Sequence, residues 1–180
     1  MNEAPSPDTD RAALRAGAPS EPPERLEIFE AEGRDLVGIW RNVLVVAFRT
    51  LPSAERLRSL VAIQRDVAAR FPEGYVALAI LPLVAPRPLP KDMLEAAQLV
   101  TSAAPPELMA VAEVIEGNGF LAATARSVAT GMTLVARPRW PMRIFPGVEP
   151  AAAWLATWVD RPSRPTAPRR LVEAIRHTLV

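Results

Sequence analysis

The chain has 180 residues, 49% hydrophobic and 23% charged, with a formal net charge of +1 at pH 7. That length fits one domain of ordinary size with tails, and the near-neutral charge argues against a protein held on nucleic acid by bulk electrostatics. There is no cysteine, which excludes disulfides, thiol catalysis and thiolate metal sites and fits a reducing compartment.

The start, MNEAPSPDTD, is acidic and lacks the apolar stretch of a secretory signal. No window approaches the roughly 20 apolar residues of a membrane span, so a cytoplasmic protein without a span is expected. Residues 1–24 are rich in Ala, Pro and acids and have no periodic apolar positions. They read as a flexible, disordered tail, unable to bury enough surface to offset the entropy of ordering. Through residue 35 there are nine acids against four arginines, whereas the last twenty residues hold five arginines and one glutamate. The two ends could attract each other or different partners, or simply be solvated.

Residues 25–160 read as the folded domain. RLEIFEAE alternates like a half-buried strand, with Leu26, Ile28 and Glu30 on one side. GRD is a tight turn, and LVGIWRNVLVVAFR holds one or two more strands. Within it NVLVVAF is a nearly continuous apolar run, as in a strand covered on both faces.

Ser53 then suits a helix N-cap, and Leu57, Leu60, Val61, Val67, Ala68 and Phe71 follow at helical spacing. YVALAILPLV is a second buried strand. KDMLEAAQLVTSA is a helix expected to turn Met93, Leu94, Ala97 and Val100 inward. PPELMAVAEVIEG supplies a strand. NGFLAATARSVATGMTLVA supplies a helix rich in small residues, capped by Asn118 or entered through Gly119.

PMRIFPGV is a short last strand. EPAAAWLATWV is a helix with Pro150 at its first helical position and Ala151, Trp154, Leu155 and Trp158 on one stripe. Residues 161–168 are a Pro-rich linker and 169–180 an amphipathic helix. A strand pair followed by alternating helix and strand predicts an α/β fold with a mixed, mostly parallel sheet of about five strands.

No catalytic constellation emerges. The one histidine, His177, lies near the C-terminus without an orienting partner. No G-x-S-x-G elbow and no phosphate-binding glycine series is present. No metal, no cofactor and no enzymatic activity are therefore expected.

Three surface features remain. EGNGF could hold an anion at Asn118 and Gly119 with helix N–H groups, or be ordinary turn chemistry. ARPRWPMR sets Arg137, Arg139 and Arg143 around Trp140, which suits an anion or acidic partner, or a solvated loop with Trp140 covering the core. In the last helix Leu171, Val172, Ile175 and Leu179 make an apolar stripe too short to be stable alone. It docks on its own domain or on a partner groove, so Leu171 and Ile175 are candidate partner-binding residues.

The order of elements resembles a STAS domain, the fold of sulphate transporters and anti-sigma-factor antagonists. IFPGVEPAAAWL, residues 144–155, resembles the last strand and helix of divergent bacterial STAS-like proteins, and NVLVVAFR the family's second strand. The resemblance covers residues 26 to 159. It implies a non-enzymatic regulatory or scaffolding module that binds another protein, and some such domains are proposed to bind nucleotides or apolar ligands.

In the antagonists a phosphorylatable Ser or Thr follows the third strand. Here that place is LPLVAPRPLP and the residues after it, and no Ser, Thr or Tyr occurs from Val84 to Met93. The phosphoswitch does not carry over. What remains is a recognition edge of Pro86, Arg87, Pro88, Pro90 and Lys91, held ready by its prolines, or a stiff connector. The expected partner is another protein, a homodimer being one form it could take. The second reading is a sensor of an anion, nucleotide or lipid.

Overall fold

The computed structural model describes residues 26–32, 35–84, 88–159, 170–173 and 175. The expectations for the tail at 1–24 and the linker at 161–168 lie outside these residues, as do Pro86, Arg87 and His177.

Six strands form one sheet in strictly sequential order: β1 (Glu27–Glu32), β2 (Asp35–Trp40), β3 (Val43–Ala47), β4 (Tyr75–Leu81), β5 (Leu108–Ile115) and β6 (Met142–Phe145). The first two pairings are antiparallel and the other three parallel. One strand more than expected is present, because LVGIWRNVLVVAFR folds as two strands around Arg41 and Asn42.

Helices α1 (Ala54–Arg70), α2 (Lys91–Ser102) and α3 (Gly119–Ala136) link the parallel strands, and α4 (Val148–Val159) follows β6. With strands added in one direction, right-handed crossovers put all three linking helices on one face. α4 has no later strand to reach, so it can fold across the other face.

Two apolar layers result. On the crossover face Val37, Ile39, Leu44, Val46, Tyr75 and Leu108 pack with Leu60, Ile63 and Val67 of α1. On the other face Val43, Val45, Val76, Leu78 and Ile80 share one core layer with Val148, Ala151, Ala152 and Leu155 of α4. Small residues set that contact: Ala151 and Ala152 let the helix lie close to Ala110 and Ala112 of β5. Leu171, Val172 and Ile175 belong to this same core. The apolar stripe near the C-terminus therefore covers the chain's own sheet, which removes Leu171 and Ile175 from the surface a partner could reach.

α1 starts as its sequence predicts, with the Ser53 hydroxyl accepting from the Arg56 N–H at 3.1 Å. β1 departs from its expected alternation. Ile28 pairs with Gly38 and Glu30 with Val37, so Phe29 is an extra residue in the ladder. Such a bulge turns two consecutive side chains to one face; Phe29 is buried against the α1 layer while Ile28 is exposed. Gly38 permits this approach, because a Cβ there would lie 2.6 Å from the Glu27 carbonyl oxygen.

α2 also differs. Ala96 is buried and Met93 and Val100 are partly covered, whereas Leu94 and Ala97 are exposed. The helix leans on α1 rather than lying flat on the sheet. Its buried stripe is consequently 93, 96 and 100, rotated from the expected one.

Candidate functional site

The C-terminal edge of the parallel strands gathers two loops. Leu81 ends β4 and leads into the proline segment, and Ile115 ends β5 and leads into α3. The loops touch: the Leu83 side chain lies 2.9 Å from where a Cβ on Gly117 would stand. Gly117 has φ +125, so only glycine fits there without strain.

Pro88, Pro90 and Lys91 are exposed along this edge. Pro90 stands at the cap position of α2, and Lys91 forms a solvent-exposed ion pair of 3.5 Å with Glu95 one turn on. Exposed pairs of this kind contribute little to stability, so these residues are presented outward rather than held for the core.

Asn118 and Gly119 open α3, but the Asn118 side chain makes no capping bond. Instead Arg126 reaches back from the second turn and donates from Nη1 to the carbonyls of Ile115 at 3.0 Å and Gly117 at 3.2 Å. Its charge is thereby directed into the β5–α3 loop.

The six residues read as an anion site do not converge. α3 has 18 residues, which spans about 27 Å at the standard helical rise. Asn118 and Gly119 lie at one end of it and Arg137, in a left-handed conformation with φ 45, at the other. Trp140 packs with the crossover-face layer, and among the described residues its buried indole N–H has no partner. Arg143 points to the opposite face, 5.9 Å from the Trp154 ring centroid. Nearness along the chain groups these side chains; the length of α3 separates Asn118 and Gly119 from Arg137, and Arg143 on β6 faces away from Trp140.

Two features were not legible as a site in the sequence. The first is the outer face of α3. The helix carries a single charge, Arg126. Its inward stripe is Ala122, Ala125, Ala129 and Thr133, and its outward side exposes Phe120 (87%), Leu121 (43%) and Val128 (49%) together with Ala123, Ser127, Thr130 and Gly131. Surface helices ordinarily put charges on the solvent side. The available signal was this lack of charge over so long a helix.

The second is Glu113. It lies on β5 between Ala79 of β4 and Ile144 of β6, half-buried on the crossover face. Burial alone pushes its carboxyl up to about 7, and among the described residues it has no hydrogen bond or ion pair.

No family model, curated protein or solved structure matches the chain.

Among the described residues no cluster of His, Cys, Asp or Glu could hold a metal ion, and no helix is long and apolar enough to cross a membrane. A shallow concavity of about 290 Å³ lies at the other edge of the sheet, lined by Pro72, Glu73, Gly74, Pro106, Glu107 and Met109. It holds two carboxylates and no nucleophile, and it is remote from both loops described above.

Proposed function

We propose that the chain is a non-enzymatic, STAS-like regulatory or scaffolding module that acts by binding protein, without the hydroxyl switch of the anti-sigma antagonists. The observation that carries this reading is the outer face of α3. It presents Phe120, Leu121 and Val128 to solvent without a charged residue among them, and exposed apolar surface of this kind marks association sites. Pro88, Pro90 and Lys91 are exposed in the segment that follows Leu83, whose side chain meets the β5–α3 loop at Gly117, and a charged residue such as Lys91 suits the polar rim of a protein interface.

The sensor reading rests on six residues that lie at separate ends and faces, and it draws less support. A tagged pull-down from the native host, beside native mass spectrometry of the purified protein, tests the interaction reading. A protein recovered in stoichiometric amount with the wild type and lost with Val128→Glu is expected. A purified chain carrying only a small-molecule mass would favour the sensor instead.

A further inference from the structure

The interaction reading leaves the partner open, and the pattern on α3 addresses it. Phe120, Thr124, Ser127 and Gly131 recur at spacings of four, three and four, which places them on one seam. This seam lies opposite the stripe of Ala122, Ala125, Ala129 and Thr133 that faces the sheet. Leu121 and Val128 flank it on one side, and Ala123 and Thr130 on the other.

Among the described residues nothing calls for a glycine at 131. It sits in mid-helix, and a Cβ there would meet nothing within 4 Å. Glycine at an exposed interior helix position is unfavourable relative to alanine, and the open space beside it can receive a side chain from a second molecule.

We propose that the occupant is a second copy of this chain, with the two α3 helices antiparallel about a two-fold axis between Ala125 and Arg126. Such a contact is isologous, so each side chain must be complementary to the position related to it by the axis. The seam meets that demand in size. Phe120, the most exposed large apolar residue, falls opposite Gly131 of the second copy, and Thr124 falls opposite Ser127. On the apolar flank Leu121 lies beside Val128 of the second copy.

Charge selects the same orientation. The seam itself is uncharged, Arg126 being turned to the Ile115 and Gly117 carbonyls. Just beyond its ends stand exposed Glu116 at the N-terminal side and exposed Arg137 and Arg139 at the C-terminal side. Antiparallel pairing sets Glu116 of one copy near Arg137 of the other and opposes the helix dipoles. Parallel pairing would place like charges together at both ends. One helix pair is a small interface, so association is concentration-dependent and in the micromolar range.

The full chain has no cysteine, which makes the geometry directly testable. Sedimentation velocity across a concentration series is expected to show a monomer–dimer equilibrium. Val128→Glu is expected to raise the dissociation constant by about thirtyfold or more, because an unpaired charge enters the apolar flank of the contact opposite Leu121. Single variants Leu121→Cys and Val128→Cys, mixed and oxidised, are expected to form the mixed disulfide faster than either forms a disulfide with itself.

A wild type that stays monomeric to about 1 mM, a dimer unaffected by Val128→Glu, or preferential self-disulfides would each overturn the pairing. The failures separate from that of the broader reading. A monomeric wild type that still retains a host protein through Val128 overturns the self-pairing and leaves the interaction function standing.

Discussion

Glu30 on β1 forms an ion pair with Arg56 on α1, and the pair exists because the bulge at Phe29 turns Glu30 toward the helix. Regular alternation would send Glu30 to the other face of the sheet. With the bulge, Glu27, Phe29 and Glu30 all face α1, and Glu27 reaches Arg70 at 2.8 Å. Two ion pairs and one buried ring thereby fasten the edge strand to the first crossover helix.

The Arg56 guanidinium is largely buried, and among the described residues its Nε and Nη2 have no partner. Removing Glu30 leaves that charge uncompensated, so Glu30→Ala is expected to cost about 2–4 kcal/mol. Arg56→Met removes the charge with its desolvation penalty and is expected to cost less. Urea denaturation of both variants checks the asymmetry; equal losses would mean that packing rather than charge dominates.

Glu113 predicts a pH dependence of definite sign. Its carboxyl is pushed up from 4.5 to about 7 by burial. Between those values the folded chain holds a proton that the unfolded chain has released, so stability falls as pH rises. The loss begins near 4.5 and is complete above about 7, where it reaches about 3 kcal/mol. Glu113→Gln has no charge to bury. Its urea midpoint is expected to match the wild type near pH 5 and to exceed it at pH 8. Parallel pH profiles for the two proteins would refute the assignment.

Leu171 is fully buried beside α4 and the sheet. Leu171→Ala is expected to cost about 3 kcal/mol, the usual price of a core leucine truncated to alanine. Chemical denaturation gives the value directly. A loss under about 0.5 kcal/mol, typical of surface substitutions, would detach this segment from the core.

Gly131→Ala separates the folding of one chain from its association. With open space around the new methyl, the monomer is expected to gain about 1 kcal/mol from helix propensity alone. The same methyl intrudes on the position assigned to Phe120 of the second copy, so the dimer is expected to weaken. Thermal unfolding at low concentration, set beside sedimentation, reads both effects. A stabilised monomer with unchanged association would leave the glycine unexplained.

Much of the fold was legible in the residues. The apolar run at 43–47, the Ser53 cap and the alternation of helix with strand after β3 follow from local periodicity and capping, which act over a few residues. Which side chains face inward is less legible. Ile28 was expected inside and Phe29 lies there, because the ladder with β2 carries an extra residue. Leu94 was expected inside and Ala96 lies there, because α2 rests on α1 rather than on the sheet.

The site followed the same division. That α3 is long, small-sided and nearly uncharged is written in its sequence. Which side of it meets the sheet, and hence that Phe120, Leu121 and Val128 face solvent, depends on how β5 and β6 seat the helix. Glu113 reads as one more acid on an alternating strand until its neighbours Ala79 and Ile144 are known. The arginines around Trp140 look like a cluster along the chain, yet Arg143 on β6 faces the Trp154 ring while Trp140 packs on the crossover face. Sequence by itself determined the elements and their order, because periodicity, caps and turns are local. Only the tertiary structure decided which faces meet and which remain open, because pairing register and crossover handedness couple residues far apart in the chain.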